Sequence, residues 1–163
     1  MNIRRATEAD IPLIRQMAQQ TFPPTYRGII TEEQIDYMME WMYSADSIRR
    51  QMAEGHAYLL GFEGETPFGY ASVEQQGPDL FHLQKLYVQP PHQGKGGGRF
   101  LFQSVVTYAK TLHPTPCTLE LNVNRTNPAL GFYRQMGMHI ARQGDFPIGN
   151  GYYMNDYIMA LTI

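Results

Sequence analysis

A single cysteine, Cys117, excludes an intramolecular disulfide and any zinc site assembled from several cysteines, and it suits a reducing compartment. Excess charge of one sign is also missing: 13 Lys and Arg stand against 15 Asp and Glu, a net charge of −2. Without a basic surplus, nucleic acid is not expected as the main partner. No run approaches the ~20 apolar residues of a membrane helix. Nor does the apolar core of a signal peptide follow Asn2-Ile3-Arg4-Arg5-Ala6-Thr7-Glu8. A soluble cytoplasmic protein is the expectation. None of the five histidines has a partner at metal-ligand spacing, so no metal is expected. What the chain does have is 163 residues, 43% of them apolar, enough for one domain over 1–163 with a real core.

Periodicity orders the elements. Asn2–Arg5 reads as a short strand. Thr7-Glu8-Ala9-Asp10 opens a helix through a capping pattern, and Ile11, Leu13, Ile14, Met17 and Ala18 repeat at helical spacing until Phe22-Pro23-Pro24 stops it. Thr31-Glu32-Glu33-Gln34 starts a second helix with Ile35, Met38, Met39 and Met42 on one face, and Ser44–Ala53 is a third. The period then changes. Ala57–Phe62, Pro67–Gln75 and Leu80–Val88 read as strands joined by glycine turns. Arg99–Leu112 is a helix, Cys117–Asn124 a strand, Asn127–Met136 a helix, and Met138–Ile163 two strands around Gly149-Asn150-Gly151. The order β-α-α-α-β-β-β-α-β-α-β-β, with no linker or repeat, predicts one α/β domain with a mixed, mostly antiparallel sheet of about seven strands flanked by helices.

The densest signal lies between Leu86 and Arg99. Leu86-Tyr87-Val88 enters Gln89-Pro90-Pro91, and a loop rich in glycine leads into the helix. Gly96, Gly97 and Gly98 stand where that helix starts, although glycine costs roughly 0.5–1 kcal/mol there relative to Ala. A close approach to the backbone would justify them. Free N–H groups at a helix start, and the positive end of its dipole, select an anion such as phosphate. Lys95 and Arg99 add charge. The loop is no Walker motif, because Gly96 stands where Ser or Thr must follow Gly94-Lys95. The dinucleotide fingerprint fails at Arg99 and Leu101.

Gln93-x-x-Gly96-x-Gly98 after Leu86-Tyr87-Val88 resembles the acetyl-CoA pyrophosphate loop of the GNAT N-acetyltransferases. A second segment, Asn124-x-x-Asn127-x-Ala129-x-x-Phe132-Tyr133-x-x-x-Gly137-Met138, is similar to the family's Asn-x-x-Asn-x-Ala-x-x-Phe-Tyr-x-x-x-Gly-Phe, with Met138 in place of the last Phe. The two lie about thirty residues apart, as in the family, and the element order agrees along essentially the whole chain. Thr21-Phe22, Tyr26 and Tyr157-x-Met159 further resemble the bacterial spermidine/spermine acetyltransferases.

The resemblance implies acetyl transfer from the cosubstrate acetyl-CoA to a primary amine, a polyamine for example, by direct attack in a ternary complex. Backbone N–H groups from Gln93 through Gly94, Lys95, Gly96, Gly97, Gly98 and Arg99 would hold the pyrophosphate. Main-chain groups of Leu86 and Val88 would pair with the pantetheine arm, their side chains serving the core. Asn127 would touch the pantetheine or cap the helix before Pro128. Tyr133 would be the general acid for the leaving thiolate, since a phenol with a pKa near ~10 keeps its proton at neutral pH. The strand position of the family's basic carboxylate falls on His82, which alternation places on one face with Gln84, Leu86 and Val88. Glu74 is a second candidate base, a half-buried structural histidine is the plain alternative, and a water chain is the third. Cys117, at a strand start far from Tyr133, is not expected to carry the acetyl group.

The acceptor would enter between the first helices and the final hairpin, where Phe22, Tyr26, Tyr37, Trp41, Phe146, Tyr152 and Tyr153 gather. Tyr26, Asp36, Glu40 and Tyr152 are the acceptor-binding candidates, because aromatics beside acids suit a cation. Glu32 and Glu33 are ordinary first-turn acids. A protein or peptide amine and a non-catalytic acetyl-CoA sensor are the alternatives. An edge strand in the last hairpin is a candidate for pairing two subunits.

Overall fold

Seven strands bonded in the order β1-β2-β3-β4-β5-β7-β6 form the centre of the computed structural model, which describes residues 1–163. The chain runs β1 (Asn2–Arg5), α1 (Ile11–Tyr26), α2 (Glu32–Tyr43), α3 (Ala45–Ala53), β2 (Ala57–Glu63), β3 (Thr66–Gly77), β4 (Leu80–Val88), α4 (Gly97–Leu112), β5 (Thr118–Asn124), α5 (Ala129–Gln135), β6 (His139–Gly149) and β7 (Tyr152–Thr162). All strand pairs are antiparallel except β4 with β5. No helix is long and apolar enough to cross a membrane.

Alternation along the strands gives the sheet two apolar faces. On one face α4 and α5 bury Phe102, Val105, Ala109 and Tyr133 against Val73, Phe81, Leu83, Leu119 and Leu121. On the other, α1–α3 bury Ile14, Met17, Phe22, Ile35, Met38 and Ile48 against Tyr58, Leu60, Tyr70 and Met154. The expected architecture is present, and the element order holds along the chain.

Three local expectations are overturned, and each shifts the site. First, α1 does not stop at Phe22-Pro23-Pro24 but runs to Tyr26. The two prolines remove donors for the carbonyls of Gln19 and Gln20, which are exposed, so water can serve them. Thr21 and Thr25 hydroxyls donate to Met17 and Thr21 carbonyls, and Phe22 packs on Tyr26 with ring centroids 4.6 Å apart. Tyr26 is therefore a buried helical residue, not a loop residue. Second, α4 begins at Gly97 rather than Arg99, so two of the three glycines lie inside it.

Third, β4 is not regular. Its pairing with β3 slips between Ser72↔Lys85 and Val73↔Leu83, leaving Gln84 unpaired as a bulge. A bulge reverses the alternation beyond it. Leu86 consequently packs with Phe81 and Leu83 toward α4, whereas Lys85 and Tyr87 point toward α1–α3. His82 pairs with Glu74, one step out of phase with Val73↔Leu83, and shares the α1–α3 face. The expectation of one face for His82, Gln84, Leu86 and Val88 fails for this reason.

Candidate functional site

β4 and β5 are bonded only from Leu80↔Thr118 to Leu83↔Leu121. Beyond that point β5 follows β7, and β4 remains with β3, so the sheet splits. A cleft of about 960 Å³ occupies the split and extends to α1 and α2. Parallel pairing needs continued register, and the bulge at Gln84 ends it.

The glycine loop forms one end. Gln93, Gly94, Gly96, Gly97, Gly98 and Arg99 all line the cleft, while the exposed Lys95 does not. Gly94 and Gly96 have φ of +77° and +85°, and Gly96 is the left-handed N-cap of α4. Gly97 has a reason inside the fold: a Cβ there would stand 2.8 Å from the Phe68 ring. A Cβ on Gly98 would stand 3.3 Å from Phe132. The glycine run thus serves a turn and two close packings as well as an open backbone. Phe100 N–H is the first in α4 to reach a carbonyl, that of Gly96, so the N–H groups before it face outward, with no acidic residue from Gln89 to Arg99. An anionic group fits this end.

The edge of β4 lines the middle. Gln89 N–H donates to Phe68 on β3, so alternation turns the main-chain groups of Val88 and Leu86 toward the split. Gln93 Nε2 donates to the Val88 carbonyl at 3.0 Å and ties the loop to the strand end. Opposite stands α5. Asn127 Oδ1 accepts from Ala129 N–H at 2.9 Å, an Asx bond that starts the helix, and its side chain also lines the cleft. Tyr133 is 8% exposed and packs on Phe132 and Phe102 at 5.2 and 6.4 Å. Burial, with a smaller contribution from Tyr26, raises its pKa and keeps the phenol protonated.

His82 lines the far end, where burial lowers its pKa against the opposing pull of the Glu120 and Glu74 carboxylates. Glu74 does not line the cleft. Its oxygens are engaged by Gln76 Nε2 at 3.0 Å, Gln84 Nε2 at 3.2 Å and His56 Nε2 at 3.1 Å. At the end expected to admit the acceptor, Tyr26, Trp41, Phe146 and Ile148 line the cleft. Asp36 and Glu40 do not: Ile35 and Met38 take the inward positions of α2 and leave both acids exposed. Tyr152 packs on Tyr37 at 5.3 Å, outside the wall.

Two buried charged residues of the wall carry no motif in the sequence. Lys85 is 8% exposed, with Nζ donating to Gln51 Oε1 at 2.7 Å and to the Tyr58 hydroxyl, over the rings of Tyr43 and Tyr58. No carboxylate pairs with it, and burial lowers its pKa to about 7. Asp156 is 4% exposed, with Oδ2 accepting from Asn122 at 3.3 Å and Oδ1 without a partner. Burial raises its pKa. The bulge hid Lys85. For Asp156 a signal existed: Met154, Asp156 and Ile158 are in phase on β7.

The family model for the acetyltransferase (GNAT) domain matches residues 27–145. The peptidyl-lysine N-acetyltransferase YjaB of Salmonella typhimurium (strain LT2) is 32% identical over 100 residues, which are 57% of this chain and 64% of that protein. The match thus spans less than two thirds of the relative. Among solved structures, the PaiA N-acetyltransferase of Thermoplasma acidophilum in complex with coenzyme A aligns with a TM-score of 0.80 at 23% identity, covering 99% of this chain and 98% of that one. YncA of Salmonella typhimurium with acetyl-CoA aligns at 0.67 and 20% identity, covering 99% and 92%. The ribosomal-protein-S18-alanine N-acetyltransferase of Escherichia coli aligns at 0.72 and 20%, covering 99% and 93%. At these identities the structural likeness is one of fold.

Proposed function

Since the chain belongs to the GNAT acetyltransferase domain family, we propose that it transfers the acetyl group of acetyl-CoA to a primary amine, as a single domain over residues 1–163. The observation that carries the reading is the split of β4 from β5, which joins the anion-selecting start of α4 to the buried phenol of Tyr133 in one cleft. Acetyl-CoA supplies the activated acyl group. Its pyrophosphate suits the N–H groups around Gly96, Gly97, Gly98 and Arg99, with Gln93, Gly94 and Lys95 completing the loop. The freed main-chain edge at Leu86 and Val88 suits the amide-bearing arm, which would add to β4 like another strand. Asn127 borders that path. Main-chain N–H groups on the same edge suit the thioester oxygen.

Tyr133 stays neutral because burial raises its pKa, so its hydroxyl can donate a hydrogen bond to the departing thiolate, and the proton released by the attacking amine replaces any that it passes on. His82 is neutral at neutral pH, the state that accepts a proton from the incoming ammonium through intervening water. Glu74 orients the Gln84 bulge beside it. The acceptor enters past Tyr26 and Trp41, and Cys117, buried in the core against α4, takes no part.

A small amine such as a polyamine is the acceptor favoured by the resemblance of Thr21-Phe22, Tyr26 and Tyr157-x-Met159. The relative named as a peptidyl-lysine acetyltransferase favours a lysine side chain instead. β6, an edge strand, is the surface on which two copies would pair, and the cytosol is the expected location. Coenzyme A release is the test, measured at mildly alkaline pH with polyamines, other small amines and lysine peptides. Amine-dependent release supports transfer, and the responding class selects the acceptor. Acetyl-CoA binding without release in any arm would leave a sensor.

A further inference from the structure

Asp156 is a buried carboxylate without a resident counter-ion. Its Oδ1 has no partner, and its Oδ2 has only Asn122. The cation that acts on it, Arg125, is already committed to Asp145 Oδ1 at 2.7 Å and to the Gly144 carbonyl. Leaving a buried acceptor unpaired costs about 1–3 kcal/mol, more for a charged group. A fold keeps such a group where something else completes it.

Its place says what that is. Asp156 pairs with Asn124 on β5, and His82 pairs with Glu120. Four residues of strand separate these levels, roughly 13 Å. Asp156 therefore stands in the open part of the split, while His82 stands at its closed end. Its charge reaches the Tyr26 phenol, and that of Tyr26 reaches Tyr133. The three groups share one chamber under the end of α1, and all line the cleft. Phe22, Tyr87 and Met154 pack with Tyr26 on this side, and Asn122 and Asn127 supply a polar edge, which suits an alkyl chain carrying a positive end.

We propose that the Asp156 carboxylate is the counter-ion for an ammonium group of the acceptor, so that this chamber takes cationic alkylamines and rejects neutral isosteres. The proposal rests on the acetyl-transfer reading above. Asn122 orients one oxygen and leaves the other for the ligand.

The test is calorimetric titration of the protein saturated with coenzyme A, using 1,4-diaminobutane as the cationic probe and 1,4-butanediol as its neutral isostere. Wild-type protein should bind the diamine and prefer it at least tenfold. Asp156→Asn, which preserves shape, should weaken diamine binding roughly ten- to hundredfold, the range of a hydrogen bond between charged groups. Its coenzyme A affinity should not change. Equal diamine affinity in wild type and variant, or no preference over the diol, overturns the proposal. Should Asp156→Asn also lose coenzyme A binding, carboxyl-resolved NMR of the wild-type protein decides. The diamine must lower the Asp156 pKa, and an unmoved titration overturns the assignment. Diamine binding through Asp156 without coenzyme A release would instead count against transfer, so the two failures are told apart.

Discussion

The two sides of the cleft are built from different material. The proposed donor side is mostly main chain: the N–H groups at the start of α4, the freed edge of β4 and the turn at Gly94 and Gly96. The proposed acceptor side is side chain: Tyr26 from α1, Trp41 from α2, Phe146 from β6 and Asp156 from β7 line it. Main-chain recognition constrains sequence through glycine and spacing, which any reader of the chain can see. Side-chain recognition leaves the backbone unmarked and draws residues from distant segments. A cosubstrate common to a family and an acceptor particular to each member would produce this asymmetry.

The largest break in the comparison is expected at the residue that joins the two sides. Tyr133→Phe should lower kcat about a hundredfold or more, the range for a positioned general acid, while acetyl-CoA affinity by calorimetry stays within twofold. Unchanged turnover removes Tyr133 from the acid role.

Next comes the donor side alone. Gly97→Val puts a branched side chain against Phe68, where even a Cβ stands at 2.8 Å. Overpacking of this kind costs about 1–3 kcal/mol. Thermal unfolding should show that loss, and acetyl-CoA binding should fall with it, because the N–H groups of α4 shift. A variant with wild-type stability and affinity would show that the helix start is more tolerant than its packing implies.

Lys85 gives a comparable effect with a pH signature. An unfolded lysine keeps its proton to about pH 10.4, whereas the buried one releases it near 7. Between those values the unfolded chain binds more protons, so stability rises with pH, by up to ~1.4 kcal/mol per unit. Below pH 7 both forms are charged and the slope vanishes. Denaturant titrations from pH 6 to 9 should show this rise, and Lys85→Met should flatten it, leaving Tyr58 bonded to Gln51. An identical slope in the variant assigns the rise elsewhere.

The smallest effect is expected at the acceptor rim. Trp41 is 45% exposed and aligned with Tyr37 at 6.3 Å. Trp41→Ala should raise the acceptor KM a few-fold through lost cation–π contact, worth ~0.5–1 kcal/mol at an exposed site. The acetyl-CoA KM should not move. Equal changes in both constants would blur the division between the two sides.

The same division explains what was legible. The order of elements followed from periodicity, and the loop and α5 followed from local motifs, since each lies within one short segment. The wall was hidden where local rules yield to context. A bulge at Gln84 reversed the faces of β4 and buried Lys85. The exposed position of Gln19 and Gln20 lets α1 run through Pro23-Pro24 and carry Tyr26 inside. Asp36 and Glu40 drew attention by charge, although the apolar positions of α2 already faced them outward. Asp156 was in phase with Met154 and Ile158, but a lone acid in a strand carries no motif.

The most direct test of both substrates meeting in one cleft is an initial-rate grid over acetyl-CoA and amine concentrations, read as double-reciprocal plots. Attack within a ternary complex predicts lines that intersect. Parallel lines would mean that an acetylated protein forms and coenzyme A leaves before the amine binds, and would contradict the account.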